Sequence, residues 1–583
     1  MTTPELDTLL STADDWAAAD PDPRTADELR TLVGQVRDGG AAAAAAEQDL
    51  RDRFSGPLAF GTAGLRAALG AGPNRMNRVV VRRAAAGVAA HVLDLAAGSY
   101  VPRAVVGFDA RHNSRVFAEE TAAILTAAGI ETFLMPTELP TPVLAYAIRT
   151  LACEVGIMVT ASHNPPQDNG YKVYLGGRAV EEDARGVQIV APHDSGIAAH
   201  IEAVGTLSDI ALAPAGWTVL PGSIEADYVS AVAALADPAS TARKLRIVLT
   251  PLHGVGGRTA QAVLSEAGFD DVTVVHRQAE PDPDFPTVAF PNPEEPGALD
   301  LALELAQETG ADLVIANDPD ADRVALAARE PSTGVWRMLR GDEVGSLLGL
   351  HLAARLTSGG RDTPSAGAGA RGVFANSIVS SRLLGRIAAV SGIDHAQTLT
   401  GFKWIARVHG LSFGYEEALG YCVAPELVRD KDGISAGLLL AELAAATKAD
   451  GRTLFDLLDD AFLVHGLHSS DQLSVRVGSL GLLGAMMNRL RENQPSSFAE
   501  SPVTTAEDLA QGSAHLPPTD GLLYVTQDET RVIIRPSGTE PKLKCYLEVV
   551  EPVGSAAELS AAKEAARLRL QAVRRDVGEA LGL

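Results

Sequence analysis

The chain has 583 residues, 46% hydrophobic and 21% charged, a globular rather than a disordered composition, and at roughly 100–200 residues per domain it is long enough for about three to five domains. Its 49 Lys and Arg stand against 74 Asp and Glu, a net charge of −25 that disfavours binding to a nucleic-acid backbone, so a phosphate site would need its own local cluster of basic groups. The three cysteines, Cys153, Cys422 and Cys545, are far apart and lack C-x-x-C spacing, which argues against a disulfide framework and structural zinc and for reduced thiols.

The N-terminus has no basic segment followed by an apolar one, and no stretch approaches 18 uninterrupted apolar residues. The expectation is a cytoplasmic protein with no secretory signal and no membrane span. Residues 1–53 read as a helical extension. Within them the alanine run Ala41 to Ala46 predicts a surface helix, because alanine is the best helix former.

From about residue 54 short apolar runs end in polar, Gly- or Pro-containing loops, and helical stretches follow. Ala104 to Phe108 precedes Asp109 to Ser114. Val155 to Val159 precedes Thr160 to Pro166. Ile247 to Leu249 precedes Thr250 to Gly257. Leu313 to Ala316 precedes Asn317 to Arg323, and Gly372 to Ala375 precedes Asn376 to Ser381. Such alternation predicts α/β units with mostly parallel sheets. Loops at the carboxyl ends of such strands form the ligand crevice, and the polar motifs all fall there. Composition suggests a linker at 212–222, an irregular Pro-rich tract at 280–296, a flexible loop at 358–371 and a connector at 493–519.

Five motifs carry chemistry. In Thr160-Ala161-Ser162-His163-Asn164-Pro165 a serine at a strand tip is placed to take and give a phosphoryl group, with His163 and Lys172 able to supply proton transfer or charge. In Asp318-Pro319-Asp320-Ala321-Asp322-Arg323 three alternating carboxylates can converge on one hard cation. An EF-hand would need Gly at the sixth position and Glu at the twelfth, where this chain has Arg323 and Arg329, so magnesium shared with a phosphoryl group fits better. Arg535 to Lys542 combines an arginine, two hydroxyls and a glycine in a candidate phosphate cradle. Gly414 to Tyr421 offers carboxylates that can accept from sugar hydroxyls, and Gly61 to Arg66 is a Gly-rich loop ending in arginine.

In this order the segments resemble the α-D-phosphohexomutase superfamily, over about Phe60 to Tyr546. Phe60 to Arg66, Arg75 to Asn77, Thr398 to Trp404 and Glu416 to Tyr421 resemble its phosphoglucomutase branch, which includes phosphopentomutases. The resemblance implies four domains in a heart shape: three related α/β domains with mixed sheets and a smaller C-terminal α+β domain. The expected division is an extension at 1–53, a phosphoserine-loop domain at 54–215, a magnesium-loop domain at 216–335, a sugar-loop domain at 336–465 and a phosphate-loop domain at 466–583. It implies Ser162 as the phosphoserine, and Asp318, Asp320 and Asp322 as ligands of one Mg²⁺ with a phosphoserine oxygen. It places Arg66, His163, Lys172 and Arg323 at the reacting centre. Glu417 and Lys403 would bind the sugar, and Arg535, Ser537, Gly538 and Thr539 would grip its non-reacting phosphate. One departure is Ala418, where many hexose-phosphate members carry a serine after the sugar-loop glutamate.

The implied reaction is interconversion of sugar 1-phosphate and 6-phosphate, glucose first, through a bisphosphate intermediate, with glucose 1,6-bisphosphate or a similar compound as activator. The implied partners are small sugar phosphates, with no nucleic acid or membrane, and the implied state is a monomer or weak dimer. Pentose and mannose phosphates stay open as substrates. A sugar-1,6-bisphosphate synthase, a phosphatase and a non-catalytic sugar-phosphate sensor stay open as other functions, although a sensor has no need of a nucleophile beside a metal.

Overall fold

The computed structural model describes residues 4–62, 64–357, 372–477, 480–512, 516–536 and 542–583. The expected loop at 358–371 and the residues Ser537, Gly538 and Thr539 lie outside them. The chain divides into two compact units: residues up to Ala328 with Tyr421–Glu442, and Arg329–Gly420 with Leu443–Leu583.

The first unit begins with three helices, α1 (Pro4–Ala19), α2 (Pro23–Asp38) and α3 (Ala43–Arg53). The Asp22 side chain accepts from Arg24 N and Pro23 takes the first position of α2, a favoured helix start. Leu10, Leu29, Val33 and Leu50 give the three helices their own core. The alanine run enters α3 at Ala43, and α3 is the surface helix expected: Ala44 and Ala45 are exposed, while Ala46 and Leu50 turn inward, a methyl being small enough to pack where helices approach closely.

The first sheet contains β1 (Leu65–Ala68), β2 (Arg103–Phe108), β3 (Glu131–Leu134), β4 (Val155–Val159), β5 (Asp168–Leu175), β6 (Val187–Gln188) and β7 (Thr218–Val219). Its order is β1-β5-β4-β2-β3-β7, with β6 on β5. β4, β2, β3 and β7 are parallel, and β5 runs antiparallel to β4 and β1. β4 is buried throughout, which is why it reads as an unbroken apolar run. The helices α4 (Arg78–Ala96), α5 (Ser114–Ala127), α6 (Thr141–Thr150) and α7 (His193–Ala203) belong to this region. Asn77 starts α4: its carbonyl oxygen accepts from Val80 N, and its amide donates to Gly70 O and Gly72 O. β7 lies within 212–222, so part of the expected linker adds an edge strand to this sheet.

After α8 (Ser223–Ala233), the second sheet contains β8 (Ile247–Thr250), β9 (Val272–Val274), β10 (Leu313–Asn317) and β11 (Val324–Arg329), interleaved with α9 (Gly256–Glu266) and α10 (Asp300–Thr309). β10, β8 and β9 are parallel and β11 is antiparallel to β10. The Pro-rich tract 280–296 carries neither helix nor strand, as expected. Residues 421–442 are tied into this unit by buried phenols: Tyr174 Oη donates to Asp430 Oδ2 at 2.9 Å and Tyr228 Oη to Asp432 Oδ1 at 2.9 Å.

The second unit opens with α11 (Gly341–Thr357). It continues with the parallel strands β12 (Val373–Ser377), β13 (Asp394–Thr398) and β14 (Leu411–Glu416), in the order β13-β12-β14, and the helices α12 (Leu383–Ser391), α13 (Phe402–Ile405) and α14 (Leu454–His465). The last sheet contains β15 (Leu467–Arg476), then, after α15 (Leu480–Glu492), β16 (Ser497–Phe498), β17 (Ser501–Asp508), β18 (Leu522–Thr526), β19 (Arg531–Pro536) and β20 (Lys542–Glu551). It is antiparallel, in the order β15-β20-β19-β18-β17-β16, and α16 (Leu559–Leu581) packs on β20 and β15. The expected connector 493–519 therefore contains β16 and β17. Its Pro and Ser content hides a strand whose side chains alternate between partly buried and exposed along most of its length.

The chain is thus α/β with mixed sheets, closed by a smaller antiparallel α+β region.

Candidate active site

The first unit brings the Ser162 loop, after β4, against the Asp318–Arg323 loop, after β10. Ser162 Oγ donates to Asp318 Oδ2 at 2.7 Å, and His163 Nδ1 lies 3.3 Å from Ser162 Oγ. Ser162 has φ +52° and Ala321 has φ +54°, so each loop holds a non-glycine residue in the left-handed region, where strain gathers at functional sites. Glycines let the supporting loops approach closely. A Cβ on Gly254 would fall 2.3 Å from Pro319 Cα, and one on Gly64 would fall 1.9 Å from Tyr171 O.

Asp318, Asp320 and Asp322 are buried, with carboxylate oxygens all within 4.8 Å of one another. Two cations face them. Lys172, on β5, reaches Asp320 Oδ2 at 2.7 Å and Asp322 Oδ2 at 2.9 Å, and Lys431 reaches Asp322 Oδ2 at 3.1 Å. Thr141 Oγ1, at the start of α6, donates to Asp320 Oδ2 at 2.6 Å. Asp320 Oδ1 and Asp322 Oδ1 are buried with no hydrogen-bond partner among the described residues. Such carboxylate oxygens suit a hard divalent cation, so the triad could bind one.

The electrostatics follow from burial and neighbours. Burial, with the charges of Asp320 and Asp322, pushes the Asp318 carboxyl well above its usual range. Burial also disfavours the charged form of Asp322, but Lys172, Lys431 and Arg323 outweigh it and hold that group far down. Burial opposes the charge on Lys172, and Asp320 and Asp322 raise its pKa regardless. Burial and the nearby cations Arg323 and Arg66 hold His163 well below an ordinary histidine, hence neutral at pH 7. Arg66 Nη1 donates to Asn164 Oδ1 at 3.3 Å.

Sequence reasoning missed Lys431 and assigned no chemistry to Arg111. Lys431 sits in the charged run Arg429 to Asp432, which reads like a solvated turn; its density of charge just before a helix was the available signal. Buried Arg111 donates to the carbonyls of Ser162 (2.6 Å), Pro165 (2.8 Å) and Asp168 (3.1 Å), fixing the serine loop.

The remaining expected residues lie in the second unit. Glu417 directly follows β14, Lys403 is in α13 and Arg535 is in β19. Tyr546 links two of them: its buried phenol is pushed up by burial and by nearby Glu417, and Arg535 hydrogen-bonds it and draws it down.

Models of the phosphoglucomutase/phosphomannomutase family match the chain in four parts: alpha/beta/alpha domain I at 57–205, domain II at 226–332, domain III at 340–463 and the C-terminal domain at 487–565. A Haemophilus influenzae protein named "probable phosphomannomutase" is 44% identical over 81% of this chain and 93% of its own length. The human phosphopentomutase is 32% identical over 93% of this chain and 91% of its own. A Staphylococcus aureus phosphoglucomutase is 33% identical over 86% of this chain and 91% of its own. The fold matches the open-form crystal structure of parafusin, a phosphoglucomutase from Paramecium, with TM-score 0.64 and 18% identity, covering 91% of this chain and 96% of that one. The chain belongs to the phosphoglucomutase/phosphomannomutase family, within the α-D-phosphohexomutase superfamily. It is an enzyme of the isomerase class that transfers phosphoryl groups within a sugar phosphate. No helix among the described residues is long and apolar enough to cross a membrane.

Proposed function

We propose that the chain interconverts sugar 1-phosphate and 6-phosphate, with glucose phosphate as first substrate, by carrying a phosphoryl group on Ser162 Oγ. The observation that carries this reading is the Ser162 hydroxyl 2.7 Å from a carboxylate of a buried triad faced by two lysines. A binder or structural turn has no use for a nucleophile in that setting.

Phosphorylated Ser162 donates first: the serine O–P bond breaks as a sugar hydroxyl oxygen bonds phosphorus, and the proton given up by that hydroxyl is matched by the one taken up at the freed Ser162 Oγ. The sugar is then a bisphosphate. After it turns around, its other O–P bond breaks as Ser162 Oγ bonds that phosphorus, the serine proton is matched by one taken up at the freed sugar oxygen, and the isomerised monophosphate is released. Neutral His163, 3.3 Å from Ser162 Oγ, can hold a proton at that atom. Lys172, Lys431 and Arg323 supply positive charge to the phosphoryl oxygens, where positioning and neutralisation do most of the work. Asp318, Asp320 and Asp322 would hold Mg²⁺, which supplies Lewis-acid stabilisation of phosphoryl charge when bound. Glu417 and Lys403 would meet the sugar, and Arg535 with residues 537–539 its distal phosphate. A trace of glucose 1,6-bisphosphate or a similar compound would recharge the serine.

A second reading, phosphopentomutase, is supported by relatives of that name aligned over nine-tenths or more of both chains; phosphomannomutase is supported by the more identical Haemophilus relative. The test is turnover of glucose, ribose and mannose 1-phosphates with Mg²⁺ and the bisphosphate, against a Ser162→Ala control. Serine-dependent isomerisation supports the mutase, and the ranking of kcat/KM names the sugar. Phosphorylation of Ser162 without isomerisation would favour a sugar-bisphosphate synthase or phosphatase.

A further inference from the structure

Each carboxylate of the aspartate triad commits one oxygen to the protein. Asp320 Oδ2 accepts from Thr141 Oγ1 at 2.6 Å and from Lys172 Nζ at 2.7 Å. Asp322 Oδ2 accepts from Lys172 Nζ at 2.9 Å and faces Lys431 Nζ at 3.1 Å. Asp318 Oδ1 accepts from Arg323 N at 3.1 Å, while its Oδ2 accepts from Ser162 Oγ. Asp320 Oδ1 and Asp322 Oδ1 are left over, both buried and without a hydrogen-bond partner among the described residues; Arg323 Nε stays 3.8 Å from Asp322 Oδ1. The three carboxylates stand close enough to share one ion, with ligand oxygens within 4.8 Å of one another. A charged oxygen buried without a partner is costly unless a cation meets it.

Thr141 is the neutral side chain among these donors, and it grips Asp320 twice. Its backbone N–H donates to Asp320 O at 2.9 Å, and its hydroxyl donates to the carboxylate of the same residue. It is fully buried at the start of α6. It lies in the part of the chain matched by domain I and Asp320 in the part matched by domain II, and both belong to the first compact unit. Turning the Asp320 carboxylate to bring both oxygens onto one ion would break the bonds from Thr141 and Lys172, in a buried place where solvent does not replace them. Asp320 is therefore limited to a single ligating oxygen before any ion arrives, and that ordering is not paid again on binding.

We propose that Thr141 is a positioning residue that sets which cation the triad takes: with Lys172 on the same oxygen, it restricts Asp320 to one-oxygen ligation and so favours Mg²⁺ over Ca²⁺. The inference rests on the reading above that the triad holds the cation. Mg²⁺ demands a small octahedral shell at about 2.0–2.1 Å, which carboxylates offering one oxygen each can fill. Ca²⁺ takes roughly six to eight oxygens at about 2.3–2.6 Å, often two from one carboxylate. Without the threonine hydroxyl, the Asp320 carboxylate can swing to offer both oxygens, which loosens the hold on Mg²⁺ and not on Ca²⁺.

The test is cation binding to the unphosphorylated full chain after EDTA treatment, read without turnover. Mn²⁺ is titrated by electron paramagnetic resonance, and Mg²⁺ and Ca²⁺ are each used to displace it. Wild type is compared with Thr141→Val, which removes the hydroxyl at nearly constant shape, and with Thr141→Ser, which keeps it; Tm in EDTA checks folding. The expected result is a wild type that prefers Mg²⁺. Thr141→Val loses about ten-fold in Mg²⁺ affinity, the scale on which loss of a ligand's supporting partner acts, and less than two-fold in Ca²⁺ affinity. Thr141→Ser keeps the wild-type ratio. Equal losses for the two ions, an unchanged ratio in Thr141→Val, or a wild type with no preference for Mg²⁺ would overturn the proposal. If Thr141→Val does not fold, Thr141→Ala carries the same comparison. If the wild type binds none of the three ions, the reading of the triad fails and the proposal with it; if it binds them and the ratio ignores Thr141, only the proposal fails.

Discussion

Ser162 gives its hydroxyl proton to Asp318 Oδ2 at 2.7 Å, joining the loop after β4 to the loop after β10 through the atoms proposed to meet at the phosphoryl group. Ser162→Ala should therefore remove isomerisation by roughly 10⁴-fold or more, the scale seen when a nucleophile is deleted, while circular dichroism and Tm stay near wild type. Radiolabelled bisphosphate should label the wild-type chain and leave the variant unlabelled.

Asp318 and Asp322 should respond with opposite sign to the same change. Asp318 is pushed toward its neutral form by burial and by two neighbouring carboxylates, so Asp318→Asn should raise Tm in magnesium-free buffer. Asp322 balances Lys172 and Lys431, so Asp322→Asn leaves buried cations under-compensated and should cost about 3 kcal/mol. Added Mg²⁺ should raise the Tm of the wild type and of neither variant. Thermal scans with EDTA and with Mg²⁺ decide both points.

Asp342 gives a pH dependence in the second unit. Burial, together with Glu417 and Glu548, raises its carboxyl from 3.8 to about 6, against hydrogen bonds from Ser381 N and Ser470 Oγ that lower it. A raised folded pKa means its contribution is fully present below pH 3.8 and is lost as pH rises through 6. A rise of that size is equivalent to about 3 kcal/mol. Subtracting the urea-unfolding profile of Asp342→Asn from that of the wild type should show this fall between pH 4 and 6; a flat difference would contradict it.

His91 gives the opposite slope in the first unit. Burial, then the neighbouring His193 and His200, lower its pKa from 6.5 to about 4. Its Nε2 lies 3.1 Å from His193 Nδ1. A depressed folded pKa contributes stability above pH 6.5 that is lost as pH falls toward 4. NMR titration of the His91 ring should give a midpoint near 4, and His193→Gln should move it upward by removing a competing charge.

Much of the site was legible in the sequence alone. Ser162, Asp318, Asp320 and Asp322 stand in short motifs directly after apolar runs, and a buried parallel strand writes itself as such a run. Lys431 and Thr141 were not legible, because their partner Asp residues lie far away in sequence and neither residue type marks a site by itself. Ser377 and Ser380 looked like part of a loop, since nothing local reveals that their hydroxyls converge on a glutamate some forty residues on. The strands β7 and β17 were misread because Pro, Gly and Ser weigh toward loops, whereas β7 is an edge strand and β17 is covered on its outer side only by the two-residue β16, positions that tolerate such residues.

The return of residues 421–442 to the first unit has a consequence for synthesis. Asp322 leaves the ribosome with Lys172 already made, but Lys431 follows only about a hundred residues later. At about 5–20 residues per second, the nascent first unit waits roughly 5–20 seconds with three buried carboxylates and one of their two lysines. The acidic loop therefore cannot reach its final charge balance co-translationally until most of the next α/β region has emerged, and the last cation to arrive fastens both the triad and the excursion of chain that carried it.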